Sequence, residues 1–189
     1  PMLLEGKKGV VLNVTNKNSI GWAIADRAAK EGAKVGVGAQ NERLSEGVHK
    51  LIGDRDEFTP LLADFSDEAA YAPLAAKIAE TYGTIDFLVH AVGFAPKPAL
   101  EGRFMDLTQA DFTTAMVASV YSYIRLAKEL EPLLNEDASV LTLSYLGSQR
   151  AMPSYNVMGV AKAALESATR YLALDLGAKG VRVNTLSPG

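Results

Sequence analysis

Hydrophobic and polar positions along the chain follow two periods. Short apolar runs rich in valine, isoleucine and leucine, at Gly9–Asn13, Ala33–Gly38, Thr59–Ala63, Ile85–His90, Ser139–Leu143 and Val181–Thr185, predict six strands. Between them the apolar residues recur at helical spacing, over Ile20–Glu31, Glu42–Ile52, Asp67–Tyr82, Gln109–Leu134 and Ser154–Leu176. Strands joined by helix-length crossovers form a parallel sheet with helices on both faces, so the predicted class is α/β. No repeat, low-complexity stretch or linker breaks the pattern, and a single domain over residues 1–189 is expected. Sheets of this kind bind ligands just beyond the carboxyl ends of their strands, which is where chemistry is to be sought.

Composition removes several alternatives. A chain of 189 residues, 48% of them hydrophobic, can bury one substantial core. The net charge of −3, with both signs mixed along the length, leaves no strongly basic face, so no nucleic-acid partner is expected. Without cysteine there is no thiolate metal site, disulfide or cysteine nucleophile, and no metal is expected. No signal-like leader opens the sequence and no run approaches the roughly 18 apolar residues of a membrane span, so a cytoplasmic protein is expected.

The first strand runs into Asn13-Val14-Thr15-Asn16-Lys17-Asn18-Ser19-Ile20-Gly21 and then a helix. A helix N-terminus facing a strand end offers unpaired N–H groups and positive potential to a pyrophosphate, with Asn13, Ser19 and Ile20 beside it. The G-x-G-x-x-G spacing is absent, and the segment also reads as a polar loop capped by Ser19. Asp64 ends the third strand, where its carboxylate could accept from an adenine amine with the Phe65 backbone alongside; it could equally cap the next helix. Val92 and Gly93 follow the fourth strand, and Gly93 offers bare backbone to a ribose or serves only a turn. Gln40 ends the second strand. It can bond a ribose hydroxyl but brings no positive charge to a 2′-phosphate, which favours NADH over NADPH; Arg43 lies close by in sequence.

Tyr145, Tyr155 and Lys162 make the most specific pattern. Tyr145 follows the fifth strand. With Ser154 as helix cap, Tyr155 enters the first turn, and Lys162 lies seven residues on, roughly 10 Å along the axis and on the same face. A phenol and an ammonium so separated could straddle a nicotinamide ribose, the lysine on its hydroxyls and the phenol toward a substrate oxygen. Tyrosines and a lysine on a long helix also serve as packing groups with solvated tips.

These stretches resemble the bacterial NADH-dependent enoyl-acyl-carrier-protein reductases of the short-chain dehydrogenase superfamily. The resemblance runs through Ser19-Ile20, Gln40-Asn41, Asp64, Gly93-Phe94-Ala95-Pro96, Leu141 to Gly147, and Tyr155-Asn156-Val157-Met158-Gly159 with Lys162. Other members of the superfamily place the lysine four residues after the tyrosine, where this chain has Gly159. The resemblance implies a Rossmann-like doubly wound sheet and reduction of trans-2-enoyl thioesters by NADH in fatty acid elongation. Acyl carrier protein would be the substrate carrier and a homotetramer the assembly. It implies that Tyr155 stabilises the enolate, that Lys162 holds the cofactor ribose, and that Tyr145 and Ala95 border the acyl pocket. The competing readings are a carbonyl reductase of the same superfamily and a non-catalytic dinucleotide-binding or assembly protein.

Two departures stand out. Asn13 replaces the glycine usual in the family, so weakened NADH binding is expected, with Asn13→Gly tightening it. The chain stops at Ser187-Pro188-Gly189, just after the sixth strand, where relatives continue with a loop, a helix and a further strand; a missing C-terminal part is expected.

Overall fold

The computed structural model describes residues 2–188. Strands β1 (Lys8–Leu12), β2 (Lys34–Ala39), β3 (Phe58–Leu62), β4 (Ile85–His90), β5 (Leu134–Leu143) and β6 (Arg182–Leu186) form one sheet in the order β3-β2-β1-β4-β5-β6. All neighbouring strands are parallel. The order reverses between β1 and β4, which opens a crevice at their carboxyl ends.

Alternation along each strand serves two cores. Val10 and Leu12 of β1 pack with Leu88 and Val140 under helices α3 (Tyr71–Tyr82), α6 (Ser122–Leu130) and α7 (Asn156–Gly177). Val11 faces the other way, with Val35, Val37 and Val89, beneath α1 (Ile20–Lys30) and α2 (Glu42–Ile52). Each fully buried leucine or isoleucine in these layers contributes about 1.5–3 kcal/mol. Ser19 and Asn41 start the first two helices by accepting N–H groups from Trp22 at 3.3 Å and Leu44 at 3.0 Å.

The helix expected over Gln109–Leu134 is broken. It runs as α5 (Gln109–Met116), a π-type turn (Val117–Tyr121) and α6, then a 3₁₀ turn at Glu131–Leu133. The π turn inserts a residue, and Ser119 and Ser122 are thereby buried against the end of β4. Pro132 stands in the closing 3₁₀ turn, and β5 begins at Leu134, five residues ahead of the expected start at Ser139. The segment expected to be helical from Asp67 opens with a 3₁₀ turn at Glu68–Ala70, capped by Asp67, before α3. Beyond the loop after β4 lies a short helix, α4 (Lys97–Leu100), that the hydrophobic pattern did not predict.

Candidate active site

Eight expected residues converge on one cleft of about 640 Å³ at the carboxyl edge of the sheet. Asn13, Ser19 and Ile20 wall it from β1 and the start of α1, and Val92 and Gly93 from the loop after β4. Tyr145 comes from the loop after β5, and Tyr155 and Lys162 from the N-terminal half of α7 and the residue before it. With Asn13 counted, both strands at the order reversal therefore contribute.

Lys162 is only 9% exposed, and its Nζ donates to the carbonyl oxygen of Leu143 at 2.7 Å. One neutral acceptor compensates a buried ammonium poorly, so burial pushes its pKa down to about 8. The fixed ammonium stands beside Gly93, whose β-carbon, were there one, would lie 3.7 Å from Nζ. Bare backbone and a cation thus share one wall.

Tyr155 does not sit within the first turn of the helix, and Ser154 does not cap it. Ser154 takes a left-handed φ of 57° and is exposed, Tyr155 itself is the cap residue at φ −121°, and α7 begins at Asn156. Pro153 to Tyr155 form a tight turn that leaves the Ser154 hydroxyl outside the helix end. The Tyr155 ring meets Tyr145 edge-on, with centroids 4.9 Å apart at 67°. Burial first, and Tyr145 second, raise the Tyr155 pKa, so its phenol keeps its proton as a hydrogen-bond donor at neutral pH. Tyr155 also borders a second cavity of about 450 Å³, walled by Phe104, Met152 and Val160.

The remaining expected residues stand apart from that wall. Gln40 Nε2 points at Asp64 Oδ1 across 3.4 Å, joining the ends of β2 and β3. Asp64 does not cap α3. Its Oδ1 accepts the Ser66 backbone N–H at 2.9 Å and hydroxyl at 2.7 Å, and the Ser66 hydroxyl bond chiefly lowers its pKa. The Phe65 ring is buried in the core and its carbonyl accepts the Tyr71 hydroxyl at 2.8 Å, so any contact with a ligand falls to its remaining backbone. Ala95 packs half-buried against the core.

Several supporting residues escaped the sequence. Ser119 accepts the Phe94 N–H at 3.0 Å and lies 3.1 Å from the Phe94 carbonyl, gripping the loop that carries Gly93. Its position depends on the π turn, which has no sequence signature. Ser144 donates to Glu166 at 2.5 Å and fixes the residue before Tyr145. Glu166, four residues beyond Lys162 on the same helix face, was the one such signal available in the sequence.

The cleft fits a dinucleotide. The first turn of α1 holds no acidic side chain to repel phosphates, its early N–H groups lack intrahelical partners, and a glycine and a lysine line the far end. No group of three or more His, Cys, Asp or Glu among the described residues is arranged to hold a metal.

A family model described as enoyl-(acyl carrier protein) reductase matches residues 14–189. The enoyl-[acyl-carrier-protein] reductase [NADH] 1 of Rhizobium meliloti is 42% identical over 187 residues, covering 99% of this chain and 69% of that protein. The enoyl-[acyl-carrier-protein] reductase [NADH] FabI of Enterococcus faecalis is 42% identical over 190 residues, covering 100% of this chain and 74% of that protein. Among solved structures, the reductase of Anaplasma phagocytophilum in complex with NAD superposes with a TM-score of 0.95 at 41% identity, covering 100% of this chain and 72% of that one. The Bacillus cereus reductase with NADP+ and an indole naphthyridinone gives 0.96 at 38%, covering 100% and 74%.

Proposed function

We infer that this chain, which belongs to the enoyl-(acyl carrier protein) reductase family, reduces the carbon–carbon double bond of trans-2-enoyl thioesters with NADH. The observation that carries this is the pair Tyr155 and Lys162, seven residues apart and both on the wall of one cleft at the sheet's carboxyl edge.

When bound, NADH would supply a hydride to the β-carbon as the π pair of the double bond moves toward the thioester oxygen, and a proton from solvent at the α-carbon would complete the reduction. Negative charge then builds on the thioester oxygen, and the Tyr155 phenol, protonated at neutral pH, donates a hydrogen bond to it. Lys162, oriented by the Leu143 carbonyl, binds the nicotinamide ribose hydroxyls and adds favourable positive charge. Tyr145 holds the Tyr155 ring in place by edge-on contact and borders the acyl chain together with Ala95. Asn13, Ser19 and Ile20, which line the cleft, would hold the pyrophosphate, Val92 and Gly93 the ribose, and Gln40, Asp64 and the Phe65 backbone the adenosine.

The acyl chain is carried by acyl carrier protein, as the relatives' names state of those enzymes. A homotetramer is the proposed assembly: Tyr121 and Ile124 around α6, and Val160, Tyr171 and Leu174 on α7, leave large apolar groups exposed, with Leu174 at 76%. The proposed location is the cytoplasm, in keeping with the absence, among the described residues, of any helix long and apolar enough to cross a membrane.

NADH oxidation by the full-length protein, followed with crotonyl and acetoacetyl thioesters side by side, tests the assignment. Consumption with the crotonyl thioester alone is expected. Consumption with the acetoacetyl thioester alone would make the protein a carbonyl reductase, and NADH binding without turnover of either would make it a non-catalytic binding protein.

A further inference from the structure

Asn13 occupies the exit of β1 with a φ of 131°. A β-carbon is crowded by the flanking peptide groups at such angles, far beyond the left-handed region near 57° that asparagine tolerates, and glycine alone adopts them at ease. Neighbours prevent relaxation. The Val14 N–H is tied to the Gly38 carbonyl at 2.8 Å, the Ala91 N–H to the Leu12 carbonyl at 2.6 Å, and α1 leans on the same point. A β-carbon on Gly21 would in fact lie 2.9 Å from the Asn13 carbonyl oxygen. The Asn13 amide also gains nothing: Oδ1 is buried without a hydrogen-bond partner, so water has been removed from it and not replaced.

We propose that Asn13 sets both the stability of the unliganded fold and its affinity for NADH, holding each below what glycine at this position would give. The two effects have separate causes. Backbone strain and the unpartnered oxygen burden the folded chain whether or not a ligand is present. The side chain, standing on the cleft wall where β1 meets the start of α1, keeps the dinucleotide off the backbone and must itself lose water when covered. The affinity part rests on the dinucleotide reading of this cleft; the strain part does not.

The test uses Asn13→Gly and Asn13→Ala in thermal denaturation without ligand and in NADH titration by fluorescence. Alanine removes the amide but keeps the β-carbon, and so separates strain from obstruction. Asn13→Gly should raise Tm by roughly 2–4 °C, even after the entropy cost of glycine in the unfolded chain. It should tighten NADH by about tenfold, with Asn13→Ala intermediate in Kd and without the rise in Tm. Equal or weaker NADH binding in Asn13→Gly would overturn the affinity part, and an unchanged or lower Tm the strain part. If neither the unmodified protein nor the variants bind NADH, the dinucleotide reading itself falls, while the melting curves still decide the strain.

Discussion

A β-carbon on Gly159 would stand 2.7 Å from the carbonyl oxygen of Gly147, and one on Gly147 would stand 2.5 Å from the Tyr155 ring. Bare backbone on both partners lets the start of α7 close onto the turn after β5, which sets Tyr155 against Tyr145. Helix propensity alone would favour alanine at position 159 by about 1 kcal/mol. Gly159→Ala is nevertheless expected to destabilise the fold by about 1–3 kcal/mol through overpacking and to lower turnover. Denaturant unfolding with a turnover assay checks this, and a stabilised, fully active variant would contradict it.

His90 is fully buried, with Nδ1 2.8 Å from Thr142 Oγ1 and Nε2 2.8 Å from Ser122 Oγ. Ser122 already donates to the Ala118 carbonyl at 2.8 Å, so it accepts from Nε2–H. Burial first, and the Lys162 charge second, hold the His90 pKa down at about 3. Between about pH 6.5 and 3 the unfolded chain therefore binds a proton that the folded one does not, and stability falls as pH falls. The loss reaches the order of a few kcal/mol at the acid end. Melting curves of the protein and of His90→Gln across that window should diverge, with the variant the less pH-sensitive; parallel curves would refute the assignment.

The lowered Lys162 pKa has two consequences. Its ammonium is present below about pH 8, so NADH binding should weaken as pH rises through that value. Stability should move oppositely, rising between about 8 and 10.5 as the folded chain sheds the proton the unfolded chain keeps. NADH titration against pH, with Lys162→Met as the control, examines the first. A pH-independent Kd in the unmodified protein would count against a ribose-binding lysine.

Much of this was legible in the chain. Apolar strand runs and helices of period 3.6 are local signals, and all six strands follow from them, whereas the doubly wound order of the sheet was implied only by the family resemblance. Tyr145, Tyr155 and Lys162 were legible because strand ends and helix starts bring residues to a common edge. What stayed hidden depends on tertiary forcing. The π turn answers the need of Ser119 and Ser122 to reach Phe94 and His90, and the left-handed Ser154 answers the turn that swings Tyr155 under Gly147. Asn13 was visible as an unusual residue, but its φ of 131° and its unpartnered oxygen belong to the packing around it.

The central claim is that the Tyr155 phenol stabilises charge on the thioester oxygen while Lys162 holds the cofactor. Steady-state turnover of an enoyl thioester by Tyr155→Phe, with NADH Kd determined on the same preparation, addresses it most directly. Loss of one such donor is expected to lower kcat by about 10²–10³-fold with NADH affinity unchanged. An undiminished kcat, or a loss residing wholly in NADH binding, would contradict the account.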